Sequence, residues 1–190
     1  DAQPVLYDND VNKDSATGLL NKKAVTEAVI DALAEADTLN DRRTLYLAVM
    51  DIDDFKNVND TYGHYFGDEV IAGFAAELRK NIGDKGIIGR IGGDEFVVLM
   101  KEVNSIRDAE LKAEALCVLF RSLHPEGCPD EVHLSCSIGL AEVPEHGGCS
   151  YMELYQKADR ALYEAKHRGR NRWVRHRMED TEEKKEREAF

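Results

Sequence analysis

Residues 86–100 read Gly86-Ile87-Ile88-Gly89-Arg90-Ile91-Gly92-Gly93-Asp94-Glu95-Phe96-Val97-Val98-Leu99-Met100. Residues 86–91 have the composition of a short strand, and residues 96–100 that of the strand returning beside it. The glycine pair between them permits a tight turn with positive φ and lets a ligand approach the backbone closely. Two acids directly after such a turn are unusual for a simple hairpin. Charges of one sign that close together repel unless a cation or a proton relieves them. Taken alone, the segment also reads as a solvated turn.

Outward from the hairpin, the chain alternates between helical and extended patterns. Residues 21–37 place Val25, Val29, Ile30 and Leu33 at helical spacing. Thr44–Ile52 is an apolar strand ending in acid. Residues 55–59 read as a turn. Residues 67–81 form a helix with Val70, Ile71, Phe74, Ala75 and Leu78 on one face. Ser105 suits a helix cap, followed by a helix to about residue 123 with Leu111, Ala115, Val118 and Leu119 inward. Residues 132–143 read as a strand. Ser150 begins a helix to about residue 167, which Gly169 ends. Trp173-Val174 suits a final short strand. The order helix, strand, helix, hairpin, helix, strand, helix predicts an α/β (α+β) sandwich, its central sheet mixed, mostly antiparallel and flanked by helices.

Composition narrows the function. The chain has 190 residues, with 43% hydrophobic and 33% charged. That suggests one domain of roughly 150–170 residues plus appendages. No run approaches the ~18–20 apolar residues of a membrane span. The chain begins with Asp1, not Met, so it is expected to be a piece of a longer protein. The formal net charge of −12 disfavours nucleic acid and anionic membranes as general partners. The charge is uneven: between Arg160 and Arg177 there are seven Lys/Arg and one acid, Glu164. Such a stretch is either a solvated helix face or a local site for a phosphorylated ligand. The four cysteines, Cys117, Cys128, Cys136 and Cys149, have no C-x-x-C spacing and suit a reduced interior. His133 and Cys136 sit i, i+3 in the expected strand and would point to opposite faces, which argues against zinc.

Asp51-Ile52-Asp53 closes the strand Thr44–Ile52, where alternation sends both aspartates to one face and Ile52 to the other. By itself the tripeptide reads equally as a strand end meeting solvent. Together with acids on a neighbouring hairpin it suggests a magnesium site for phosphoryl or nucleotidyl transfer, because magnesium is bound through one or two carboxylates plus substrate phosphates. Asn59 alone reads as a turn former.

Four spaced motifs in order resemble one family. Asp14-Ser15-Ala16-Thr17-Gly18-Leu19-Leu20-Asn21 is similar to its opening segment. Asp51-Ile52-Asp53-Asp54-Phe55-Lys56-Asn57-Val58-Asn59-Asp60-Thr61-Tyr62-Gly63-His64, then Gly67-Asp68, is similar to its central motif. Gly92-Gly93-Asp94-Glu95-Phe96 is the pentapeptide that names it, and residues 158–171 resemble its closing helix. The chain therefore resembles the GGDEF diguanylate cyclases, over about residues 14–175. The resemblance implies a nucleotidyl-cyclase or polymerase-palm-like fold and condensation of two GTP into cyclic di-GMP and pyrophosphate. It implies Mg2+, or Mn2+ in its place, held by Asp51, Asp94, Glu95 and the Ile52 carbonyl, with Asp94 and Glu95 catalytic. It implies that Asn59 and Asp68 read guanine, and that Phe55, Lys56, Lys166 and Arg170 serve the triphosphate. A carboxylate can accept from guanine N1–H and N2, whereas adenine has no donor at N1.

The resemblance also implies a homodimer for catalysis, an upstream sensory domain, and a cytoplasmic location, free or tethered to a membrane protein. The expected division is a linker at 1–13, the domain at 14–176 and a charged tail at 177–190. Arg90 is expected to brace the hairpin against Asp14, and His64 to pack or cap. Departures are Ala16, Lys22 and residues 83–86, Gly83-Asp84-Lys85-Gly86, where many relatives carry an RxxD product-inhibition motif; no feedback through that site is expected. Two other readings are a degenerate module that binds GTP or cyclic di-GMP without turnover, and a different palm-type nucleotidyl cyclase.

Overall fold

A computed structural model describes residues 10–39, 44–144 and 148–177. Residues 1–9 of the expected linker and 178–190 of the expected tail lie outside the described residues. The elements in chain order are α1 (Lys22–Leu39), β1 (Thr44–Ile52), α2 (Phe55–Tyr62), α3 (His64–Ile82), β2 (Gly86–Arg90), β3 (Glu95–Val103), α4 (Ile106–Arg121), β4 (Cys136–Glu142), α5 (Tyr151–His167) and β5 (Arg172–Arg175). The strands form one sheet in the order β2-β3-β1-β4-β5, antiparallel except for the parallel pair β4–β5. This is the mixed, mostly antiparallel sandwich that the element order predicts. No helix among the described residues is long and apolar enough to cross a membrane.

Alternation along β1 divides the core. Tyr46, Ala48, Met50 and Ile52 face α3 and α4, where they meet Val70, Phe74, Leu78, Leu116 and Phe120. Leu45, Leu47 and Val49 face α1 and α5, against Val25, Val29, Leu154, Ala158 and Leu162. Each buried Val, Leu, Ile, Phe or Met among them contributes about 1.5–3 kcal/mol by leaving water. Asp51 follows in the second register, so it emerges on the α5 side of the sheet. Gly139 of β4 is where α5 lies closest: a Cβ there would collide with the Ala158 carbonyl and the Leu162 amide. Ser150 starts α5 with a capping box, its Oγ accepting from Glu153 N at 3.2 Å while Glu153 Oε2 accepts from Ser150 N at 2.9 Å. Together these fix where the last turn of α5 ends, beside Asp51.

Five expectations need correction. Residues 55–59 are no turn but the start of α2, because Val58 is buried and Phe55 and Tyr62 pack against the same core. The following helix begins at His64, its first residue, rather than at 67. The strand expected at 132–143 pairs only from Cys136, which lies opposite Ile52; β1 ends there, and residues 132–135 have no strand to join. In α4 the buried stripe is Ala109, Ala113, Leu116, Cys117 and Phe120, while Leu111 and Val118 are 53% and 45% exposed. Both stripes have helical spacing. The alanines allow close approach to the sheet, and Phe120 stacks on Phe74 at 3.9 Å. In α1, Ile30 likewise turns outward.

Candidate active site at the carboxyl end of the central strand

The β1–β3 register sets Asp51 opposite Glu95, with Asp94 just beyond. The turn that carries Asp94 is held from behind by Arg90. Its guanidinium donates to the carbonyls of Gly92 (3.1 Å) and Gly93 (2.7 Å) and pairs with Asp14 Oδ2 at 3.2 Å. The expected brace is therefore present. Asp14 in turn accepts from Thr17 N and Oγ1, which holds its carboxyl below the usual range despite burial.

Asp51 and Asp94 converge. Asp51 Oδ2 takes a hydrogen bond from Lys166 Nζ at the end of α5. Its Oδ1 is buried and has no hydrogen-bond partner. The Asp94 carboxyl, facing it, is pushed up to about 7, first by burial and then by the Asp51 carboxylate, with Lys166 acting in the other direction. Two facing acids with an orphaned oxygen, relieved between them only by a proton on Asp94, are a poor arrangement for a protein alone. They suit a hard divalent cation that seeks oxygen ligands, such as Mg2+. The Ile52 backbone lies against the pair, its N–H donating to the Asp94 carbonyl at 3.2 Å. Glu95 stands apart: its Oε1 accepts from Tyr155 Oη at 2.5 Å. Among the described residues no group of three or more His, Cys, Asp or Glu converges as a metal site, so the close carboxylates here are Asp51 and Asp94.

The amide end of α2 borders this pair. Asp54, its N-cap, has φ 52° and makes no side-chain capping bond, so the first-turn N–H groups of Phe55, Lys56 and Asn57 are presented outward by helix geometry. Lys56 is exposed on the same turn. Arg170 Nε comes within 3.5 Å of Asp54 Oδ1. One helical turn further, Asn59 lies over Gly67 of α3. A Cβ at position 67 would occupy the space of the Asn59 amide and touch Phe55. Asp68, next to it, is exposed, as is His64. The structure thus gathers Asp51, Asp94 and Lys166 in one cluster, and Phe55, Asn59 and Gly67 in an adjoining one.

Two residues that sequence reasoning passed over stand within this site. Tyr155 seats Glu95, and nothing in the local sequence signals it. Asp53 accepts hydrogen bonds from Ser135 Oγ, Ser137 Oγ and Asn171 N. Alternation places it on the face of Asp51, but its partners emerge only from the pairing of β1 with β4 and of β4 with β5.

A family model described as "Diguanylate cyclase, GGDEF domain" matches residues 11–172. The chain is 37% identical over 163 residues to the cyclic di-GMP phosphodiesterase PdeR of Escherichia coli K12, covering 85% of this chain and 23% of that protein. It is 36% identical over 160 residues to the diguanylate cyclase DgcP of Pseudomonas aeruginosa, covering 84% of this chain and 23% of that protein. The chain thus spans less than a quarter of the length of either relative. Among solved structures, the GGDEF domain of DgcB from Caulobacter crescentus, in complex with c-di-GMP, superposes with a TM-score of 0.80 at 32% identity, covering 88% of this chain and 94% of that one.

Proposed function

Because the chain belongs to the diguanylate cyclase GGDEF-domain family, we propose that it condenses two GTP molecules into cyclic di-GMP, with Asp51 and Asp94 holding Mg2+, or Mn2+ in its place. The observation that carries this reading is the convergence of those two acids, one with an orphaned buried oxygen, beside the amide end of α2. The domain is taken as residues 14–176, with flanking segments 1–13 and 177–190.

Each group then has a task. Asp51 and Asp94, with the Ile52 carbonyl and Glu95 assisting, would hold a divalent cation, which when bound would polarise the α-phosphate and lower the pKa of the attacking hydroxyl. Lys166, Lys56, Arg170 and the amides from Phe55 onward bind the phosphates. Lys166 is paired with Asp51; a cation held by Asp51 would take over that neutralisation and leave the Lys166 charge for the phosphates. Asp68 accepts from the guanine N1–H and N2 amine, which adenine lacks, and the Asn59 amide, able to donate and accept, also serves the base. Glu95 helps take the proton of the 3′-hydroxyl, with Tyr155 fixing its carboxylate. Two copies face each other about a two-fold axis, each presenting one GTP, so that each 3′-hydroxyl meets the other α-phosphate. An upstream sensory segment controls that encounter in a longer, cytoplasmic or membrane-tethered protein. Nucleic acid is not a partner.

The test is incubation with GTP and Mg2+ at high protein concentration, with chromatographic analysis of products. Cyclic di-GMP that disappears in Asp94→Ala supports the proposal; no cyclic di-GMP at any concentration overturns it. A second reading, nucleotide binding without turnover, is favoured by one finding: a relative of similar identity is a named phosphodiesterase, of which this chain matches only a part. GTP binding without product would select that reading.

Two predictions arise here. Gly67→Ala is expected to evict the Asn59 amide. Because the displaced group is the end of a flexible side chain, the fold should tolerate it. GTP affinity should fall about tenfold with little change in melting temperature, measured by calorimetric titration and thermal unfolding. Equal affinity would remove Asn59 from the base site. Added cyclic di-GMP is expected not to inhibit through residues 83–86. Gly86 has no room for an aspartate side chain, since a Cβ there would meet Ile82 and the Leu99 carbonyl. Micromolar inhibition that substitutions at Gly83–Gly86 abolish would contradict this.

A further inference from the structure

Among the described residues, four non-glycine positions have positive φ, and three of them surround one carboxylate: Asp54 (52°), Arg170 (61°) and Asn171 (49°) border Asp53. Left-handed backbone is unfavourable for residues other than glycine and persists where neighbours over-determine it. Asp53 is the neighbour that does so. Its Oδ1 accepts from Ser137 Oγ at 2.6 Å, and its Oδ2 accepts from Ser135 Oγ at 2.6 Å and from the backbone N–H of Asn171 at 2.9 Å. Its own N–H donates to the Ser135 carbonyl at 2.9 Å. Ser137 is fully buried, so the seat of the carboxylate belongs to the sheet rather than to the surface. From the other side Arg121 Nη1 of α4 donates to Asn171 Oδ1 at 3.3 Å.

What this clamp fixes is the turn leaving α5. Arg170 lies in that turn and reaches Asp54 at the amide end of α2. Arg170 is tied back to α5 by its N–H, which donates to the Ala165 carbonyl at 3.0 Å; the Asn171 bond adds the turn's tie on the β1 side and so sets which way Arg170 projects. We propose that Asp53 is a positioning residue for phosphate binding, acting through the backbone N–H of Asn171 to hold Arg170 over the first turn of α2. The inference rests on the reading of Arg170 as a triphosphate contact given above.

The test uses a non-hydrolysable GTP analogue with Mg2+, titrated calorimetrically into the whole chain and its variants. Arg170→Ala and Asp53→Ala should each weaken binding about tenfold or more, and the double variant should bind no more weakly than the weaker single. Asp53→Asn should restore most of the affinity, because its amide oxygen can accept from Asn171 and Ser135 while its NH2 donates to Ser137 Oγ. If Arg170→Ala alone binds as the parent does, the phosphate reading of Arg170 fails. If Arg170→Ala is impaired but Asp53→Ala is not, or if the two losses multiply in the double variant, the positioning role is overturned and the phosphate reading stands. Should Asp53→Ala fail to fold, Ser135→Ala carries the test: faster hydrogen exchange at the Asn171 amide with weaker analogue binding is expected, and unchanged exchange and affinity would overturn the inference.

Discussion

Asp94→Asn is expected to abolish cyclic di-GMP formation while making the metal-free protein more resistant to heat near neutral pH. Activity falls because an amide is a poor ligand for a hard cation, and the loss should be on the order of a thousandfold. Stability moves the other way for a reason visible in the site. Asp94 is pushed from 3.8 up to about 7 by burial and by facing Asp51. Between those values the folded protein keeps a proton that the unfolded chain releases. The group's stabilising contribution is therefore full below about pH 4 and is lost as pH rises through about 7. An amide never ionises, so the variant should lack this loss. Thermal unfolding of both proteins in chelator, from pH 4 to pH 8, reads the difference directly. Parallel pH profiles would mean that the two carboxyls do not oppose each other. A variant that keeps full activity would remove Asp94 from the cation site.

Gly139→Ala is expected to be the most damaging small substitution in the sheet. A methyl at that position would meet backbone atoms of α5, the Ala158 carbonyl and the Leu162 amide, and backbone cannot rotate aside as a side chain can. The helix must lift, which costs about 3 kcal/mol for an overpacked core. It also moves Lys166 away from Asp51 and Arg170 away from Asp54. Activity should therefore fall further than stability, even at temperatures where the variant is still folded. Gly93→Ala supplies the contrast in stability, since nothing lies within 4 Å of a Cβ there. Chemical denaturation of both variants, with product assays at low temperature, checks the ordering. A Gly139→Ala protein as stable as Gly93→Ala would mean that α5 does not rest on β4 as described.

How far the sequence discloses these features depends on what kind of signal each one leaves. β1 is read without error because a nine-residue apolar run bounded by polar residues is short for a buried helix and suits a buried strand. The Ser150 start of α5 is equally plain, since a capping residue states its own position. α2 is hidden because Asn57, Asn59, Asp60 and Gly63 signal a turn, and one-sided burial of Val58 outweighs them. The face of α4 could not be chosen because two apolar stripes share a period, and only the fit of Ala109 and Ala113 to the sheet decides between them. Within the site, residues contiguous in motifs such as Asp94 and Asn59 are legible, whereas Tyr155 on Glu95 and the serines on Asp53 are meetings across 60 and more than 80 positions of chain. Such meetings are properties of register, which no local pattern contains.

The place of β1 in the strand order has a further consequence. It is paired on both sides, by β3 and by β4, so its amides should exchange with deuterated solvent only when the whole molecule opens. Among the described residues β5 has a single strand partner and only four residues, so it should exchange through local fraying. Asp51 is thus anchored to the central strand of the sheet, whereas Arg170 precedes an edge strand. Substrate that reaches both would protect β5 far more than β1.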